Sequence, residues 1–231
     1  MANKGQYTYE YPRPSVTTDC VIFGYDGKTT RVLLVQRGGE PFKGQWAFPG
    51  GFLEMEETAL DCAKRELEEE TGLKEAYVEQ LHTFTDVNRD PRERVITIAY
   101  YMLVKTGSVT GGDDAAKAQW FPIGDIPQLA FDHDRILRMA TSRLREQMHT
   151  APVGFELLPE IFTMAELQNL YESVLEVHFD QRHFSSKMMQ LGILDEAGEI
   201  ATDTTSKAAK TYRFNQDKYE QMKAKGFRLE F

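Results

Sequence analysis

At 231 residues, with 41% hydrophobic and 27% charged side chains, the chain has the composition of a globular protein long enough for one large domain or two small ones. No apolar run approaches the roughly 18–20 residues of a membrane span, and the N-terminus MANKGQYTYEYPRPS lacks the apolar core of a secretion signal, so no membrane partner is expected. Two cysteines, Cys20 and Cys62, are too few for a disulfide framework and point to a cytoplasmic location, and a formal net charge of −9 argues against indiscriminate nucleic-acid binding while leaving room for a local basic face.

Strand signals come first along the chain: residues 15–25 (SVTTDCVIFGY) and 31–37 (RVLLVQR), separated by the turn-like Asp26-Gly27-Lys28. The stretch PFKGQWAFPGG then leads into an acidic helix, which sets Trp46, Phe48 and Pro49 at its mouth. A second β stretch, 77–87 and 94–104, flanks the polar loop NRDPRE at 88–93. A short strand at 119–123, an Ile126-Pro127 turn and a helix from about Asp132 to Met148 complete this part. The pattern breaks at 149–155, which reads as a short linker, so the chain divides into residues 1–150 and 151–231. Beyond it, Thr163 with Glu166 forms a capping box ahead of an apolar stripe of Leu167, Leu170, Tyr171 and Val174. A second helix is expected from Asp180 to Gly192, then two strands within ILDEAGEIATDTTSKAAKTYRFN. Helix, turn, helix and β-hairpin is the order of a winged helix.

The acidic helix carries the chemistry. From Thr58 to Thr71 the residues are good helix formers, Thr58 suits the N-cap and Gly72 the C-terminal position that needs positive φ. Leu60, Ala63 and Leu67 form an apolar stripe, and Glu66, Glu69 and Glu70 are expected to converge on another side. Like charges at this spacing cost about 0.2–0.5 kcal/mol per pair, a cost that a bound cation would reverse. Hard ions such as Mg²⁺ take oxygen ligands, with Mn²⁺ accepting the same set, whereas the plainer alternative is a solvated acidic face. Gly50 and Gly51 let the preceding backbone turn tightly and aim a carbonyl at the same ion.

Gly51, Glu57, Arg65-Glu66-Leu67, Glu69-Glu70 and Gly72-Leu73 occupy every fixed position of the Nudix box, and the chain resembles the Nudix hydrolase family. That resemblance implies a Nudix α/β/α sandwich with a mixed sheet, and metal-dependent attack of water on the pyrophosphate of a nucleoside diphosphate derivative. It implies that Glu66, Glu69 and Glu70 ligate metal with the Gly51 carbonyl, and that Glu66 or a nearby acid orients the water. Arg65 would then hold a carboxylate in place and Glu57 support the loop. The stretches FTDVNRDPRERVITIAYY and LAFDHDRIL further resemble a subgroup that handles ADP-ribose, which yields AMP and a sugar phosphate. Among Arg37, Arg89, Arg92 and Arg94, whose guanidinium groups suit phosphates, Arg37 and Arg89 are preferred because they sit at a strand end and a loop tip; with Phe48 they are the substrate-binding candidates. His133 is read first as a helix-start residue and second as a ligand.

Over its whole length, including FELLPEIFTMAELQNLY and KTYRF, the chain resembles Nudix-related transcriptional regulators that join this domain to a winged helix. In that reading Arg182, His183 and Lys187 enter the major groove of operator DNA, and Lys207, Lys210 and Arg213 contact phosphates from the wing. A homodimer is the corresponding family expectation. Charge opposes DNA binding, since residues 151–231 hold nine Lys or Arg against thirteen Asp or Glu. Two functions therefore stand side by side: an ADP-ribose pyrophosphatase, favoured by the intact box, and a ligand-sensing transcription factor.

Overall fold

The computed structural model describes residues 9–106, 115–201 and 208–226. Strands β1 (Ser15–Tyr25), β2 (Thr30–Arg37) and β3 (Trp46–Ala47) precede helix α1 (Ala59–Thr71), and strands β4 (Tyr77–Phe84), β5 (Val95–Leu103) and β6 (Ala115–Pro122) lead to helix α2 (His133–Thr150). A 3-10 turn at Val153–Leu157 is followed by β7 (Phe162–Thr163), α3 (Met164–Leu175), α4 (Gln181–Gln190), β8 (Leu194–Ala201), β9 (Ala208–Phe214) and α5 (Gln216–Ala224). Two compact units result, one from residues 9–23, 32–103 and 115–140, the other from 24–31, 104–106, 141–201 and 208–226.

In the first unit the strands form a mixed sheet in the order β3-β2-β1-β5-β4, with β6 also on β2. β1 and β5 run parallel, Thr18 opposite Ile98, while β5 pairs antiparallel with β4. Both central strands are buried on two faces, and β1 is shielded from Thr17 through Tyr25, which explains its nearly unbroken apolar run. Side chains alternate across β1, and that alternation assigns the helices to opposite faces. Thr18 lies 3.2 Å from Cys62 and Cys20 donates to the Ala63 carbonyl, so α1 covers one face, while Asp19 points the other way, to the His133 end of α2.

The caps of α1 are those its sequence predicts. Thr58 and Asp61 exchange bonds as a capping box, and Gly72 closes the helix at φ 76° with its N–H on the Glu68 carbonyl. Leu60, expected on the buried stripe, is exposed, and Cys62, Ala63 and Leu67 form the apolar contact instead.

The second unit pairs a small antiparallel sheet, order β7-β9-β8, with α3, α4 and α5. Leu167, Leu170, Tyr171 and Val174 of α3 are buried as the stripe predicts, and Phe184 and Met188 of α4 face them, with Tyr171 and Phe184 edge to face at 5.7 Å. Phe155 stacks on Phe214 at 4.4 Å and meets Phe162 at 5.5 Å. The α3–α4 turn is held by Glu172, which accepts from the Phe179 N–H and from Gln168. The expected linker at 149–155 is instead the end of α2 and the start of the 3-10 turn, where Val153, Gly154 and Phe155 are buried. The hairpin is not the last element either: α5 follows it, capped by Asn215 accepting from the Lys218 N–H and anchored by buried Tyr219.

Candidate functional site

A cavity of about 690 Å³ opens in the first unit between β1, the loop before α1, the β4–β5 loop and the start of α2. Its lining mixes charges, with Asp19, Glu66, Glu70 and Asp90 beside Arg37, Arg89, Arg92 and the Phe131 ring. Gly50 and Gly51 are required where the loop passes β1 and α1, because a Cβ on Gly50 would lie 2.1 Å from the Thr18 carbonyl oxygen and one on Gly51 2.0 Å from Glu66 Oε1.

Arg65 organises the box. It donates to both oxygens of Glu57, at 2.7 and 3.0 Å, and its Nη1 reaches Glu66 at 2.6 Å and Glu69 at 3.0 Å. This fork holds Glu57 down to about pH 2, with the backbone N–H of Glu54 assisting against burial. Burial pushes Glu66 up, against the pull of Arg65. Glu70 accepts from the Gly50 N–H at 3.0 Å, and the Gly51 carbonyl accepts from the Thr18 N–H at 2.9 Å.

The three glutamates do not gather as expected. Glu66 and Glu70 line the cavity, while Glu69 is 59% exposed and held at the side by Arg65. Glu69 and Glu70 are neighbours in sequence and so project about 100° apart around the helix, which separates them. Among the described residues no three His, Cys, Asp or Glu stand close enough together to hold a metal ion as the side chains are placed. The donor set nonetheless suits a hard ion: Glu66 and Glu69 share one arginine nitrogen, the missing Cβ of Gly51 leaves Glu66 against the loop, and all donors are oxygens.

Asp19, Arg89 and His133 of the cavity lining belong to a buried ionic network whose signal in the sequence was partial. Arg89, with a side chain only 4% exposed, donates to both oxygens of Asp132 at 2.7 and 3.1 Å and to Asp19 at 3.2 Å. Burial pushes Asp19 up, but His133 and Arg89 outweigh it and hold the carboxyl at about 2. His133 stacks on Phe48 at 4.9 Å, accepts the Phe48 N–H at Nδ1 and places Nε2 3.5 Å from Asp19. Phe48, buried, is a wall of the cavity, whereas Trp46 packs on Phe121 outside its lining.

Of the arginines read as phosphate contacts, Arg37 lines the cavity with its Nε on the Pro41 carbonyl and its guanidinium 4.7 Å from the Phe131 centroid. Arg92 lines it too, gripped by Asp90 through two bonds. Arg94 is absent from the lining and donates to the Thr85 and Asp86 carbonyls. Asp19, Asp90 and Phe131 are cavity residues that sequence reasoning passed over; the one charged residue inside β1 was the available sign for Asp19.

In the second unit, α4 begins at the Asp180 cap, whose side chain accepts from the N–H groups of Arg182 and His183. At about 100° per residue, Arg182, Ser186, Gln190, His183 and Lys187 occupy one arc, opposite the buried Phe184 and Met188. Lys210 is paired with Glu196 at 2.7 Å and Arg213 with Glu160 at 3.3 Å; Lys207 lies outside the described residues. Among the described residues no helix is long and apolar enough to cross a membrane.

Comparison with known proteins matches residues 13–140 to the NUDIX domain and residues 154–214 to the NrtR DNA-binding winged helix domain. The "ADPR responsive transcriptional repressor NtrR" of Acinetobacter baylyi is 32% identical over 216 residues, 91% of this chain and 86% of that protein. The "ADP-ribose pyrophosphatase" of Methanocaldococcus jannaschii is 40% identical over 128 residues, 55% of this chain and 73% of that protein. The crystal structure of Shewanella oneidensis NrtR complexed with a 27mer DNA superposes with a TM-score of 0.77 at 28% identity, over 93% of this chain and 97% of that one.

Proposed function

We propose, from the premise that this chain belongs to the Nudix family and carries an NrtR-type winged helix, that it is an ADP-ribose-responsive, DNA-binding transcriptional regulator. The observation that carries this reading is the likeness to a repressor across both units of the chain, 32% identical over 216 residues. The geometry supports it: the first unit holds a cavity lined by three arginines and several carboxylates, and the second carries a polar arc on α4. Residues 1–150 act as the sensor and residues 151–231 as the reader, acting as a homodimer in the cytoplasm. Arg37 and Phe48 contact the ligand, with Arg89 beside them in the cavity lining. Arg182, His183 and Lys187 face the major groove, and Lys207, Lys210 and Arg213 lie toward the phosphates.

The test joins calorimetry with ADP-ribose to a mobility shift on DNA from upstream of the protein's own gene. Binding of ADP-ribose together with a ligand-dependent change in specific operator affinity is expected. A shift that is only salt-sensitive and independent of sequence overturns the regulator reading.

A second reading, hydrolysis, is favoured by the complete box from Gly51 to Leu73. A divalent ion, Mg²⁺ or Mn²⁺, held by Glu66, Glu69, Glu70 and the Gly51 carbonyl would neutralise pyrophosphate charge and acidify a water. Arg65 keeps Glu66 and Glu69 side by side, and Glu57 keeps Arg65 in place. Release of AMP from ADP-ribose that vanishes in Glu66→Gln and Glu69→Gln, with ADP-ribose binding retained, is the expected result if the chain turns over its ligand. Unchanged turnover in Glu69→Gln removes that residue from the role.

A further inference from the structure

We propose that Arg89 is a positioning residue for ligand binding: fastened to Asp19 and Asp132, it locks the β4–β5 loop against the start of α2, so that Arg92 and Phe131 form a guanidinium–aromatic clamp for an anionic ligand group. The inference rests on the ADP-ribose reading and names the part of the cavity that grips the ligand.

Arg89 sits at the junction of three segments far apart in sequence. Its Nε and Nη2 take both oxygens of Asp132 on the α2 side, and Nη2 also reaches Asp19 on β1. With its fork engaged by carboxylates and its side chain almost fully buried, it serves the wall rather than the ligand. The residues beside it do project. Three positions along the loop, Arg92 is 38% exposed, its guanidinium squared by donating to both oxygens of the buried Asp90. On the other side of the junction, Asp132 is preceded by Phe131, whose ring lines the cavity.

Phe131 adopts φ 55°, in the left-handed region that bulky residues rarely enter, and its ring meets Phe42, itself at φ 64°, edge to face at 4.8 Å. Such a conformation persists only where its surroundings over-determine it, and it clusters at ligand clamps. Two cations converge on that ring, Arg37 at 4.7 Å and Arg92 at 5.6 Å from its centroid. Burial and the nearby Arg92 push Arg37 down, against the pull of Asp90, Glu70 and Asp19. Arg92 also lies 5.3 Å from the Phe52 centroid, and two guanidinium groups gathered beside these rings are complementary to an anion of the ligand, its phosphates above all.

The experiment is a double-mutant cycle on ADP-ribose affinity in the full chain, with Arg89→Lys, Arg92→Met and the double variant. Lysine keeps the charge but lacks the fork that spans Asp132 and Asp19. Arg89→Lys and Arg92→Met are each expected to weaken binding on the order of tenfold, and the double variant to be no weaker than Arg92→Met alone. A single cooperative thermal transition in each variant is the control for folding. Should Arg89→Lys fail that control, Asp132→Asn replaces it with the same expected loss and the same cycle. Independent, multiplying effects in the double variant overturn the inference, as does wild-type affinity in Arg89→Lys while wild type binds normally. Absence of ADP-ribose binding by wild type overturns the ADP-ribose reading and this inference together.

Discussion

The two units use charge in opposite ways. In the first, Arg89 is buried and paired across long stretches of sequence with Asp19 and Asp132, and Arg65 is half-buried and paired locally with Glu57 and Glu66. In the second, the interior is aromatic and aliphatic, built on Phe155, Phe162, Leu170 and Phe184, and the charges lie outside, as in Lys210 with Glu196 and Arg213 with Glu160. A pocket for a charged ligand needs polar groups held rigidly in low dielectric, so its geometry is inseparable from its stability. A surface that meets nucleic acid keeps its charges solvated, so fold and function separate there.

That contrast is broken or upheld first at Arg89. Arg89→Met would leave Asp19 and Asp132 without their cation in a buried site, and a loss of about 3–5 kcal/mol of unfolding free energy is expected from urea titration. Removing an apolar group from the second unit should cost somewhat less: Leu170→Ala, fully buried on α3, is expected to lose about 3 kcal/mol, the range of a core cavity. If Arg89→Met proves milder than Leu170→Ala, the first unit does not depend on its buried ions and the contrast fails.

How much of this was legible in the sequence follows the same division. Helix α1 announced itself locally, through the Thr58 cap, the Gly72 stop and the spacing of the box, and α3 and α4 did so through the Thr163 and Asp180 caps and their apolar positions. Local signals need only a few residues of context. The role of Arg89 did not: in NRDPRE it reads as a loop-tip arginine suited to a phosphate, and its partners Asp19 and Asp132 stand 70 and 43 positions away. Nor was Phe131 legible, because its left-handed backbone is imposed by packing against Phe42. The α5 helix was missed for a smaller reason. Its apolar content is confined to one buried residue, Tyr219, too little to mark a helical stripe.

The acid limb of stability sharpens the comparison next. Asp19 is held at about 2 against an ordinary 3.8, so its ionised, paired form stabilises the folded chain above pH 3.8, and that stability is lost as pH falls toward 2. The lowered value corresponds to about 2 kcal/mol. Unfolding free energies from urea titrations at pH 5.5 and pH 2.5 should therefore diverge by about 1.5 kcal/mol more in wild type than in Asp19→Asn, which has no proton to gain. Equal acid sensitivity in the two proteins would mean that the Asp19–Arg89–His133 network contributes little to folding.

The smallest effects on the fold are expected on the outer face of α4 and on the wing, where only DNA binding should respond. Lys187→Ala is expected to leave the melting transition in place and to lower the slope of log K against log salt for operator binding by about 1, the signature of one phosphate contact. Lys210→Ala should lower it as well if the wing meets the backbone, with Glu196, 2.7 Å from Lys210, displaced on binding. No drop for Lys210 would mean that the Lys210–Glu196 pair stays closed and that the wing does not track the backbone. No drop for Lys187 would turn α4 away from the duplex, and the polar arc of Arg182, His183 and Lys187 would then belong to a protein partner, whose affinity would carry no such salt slope.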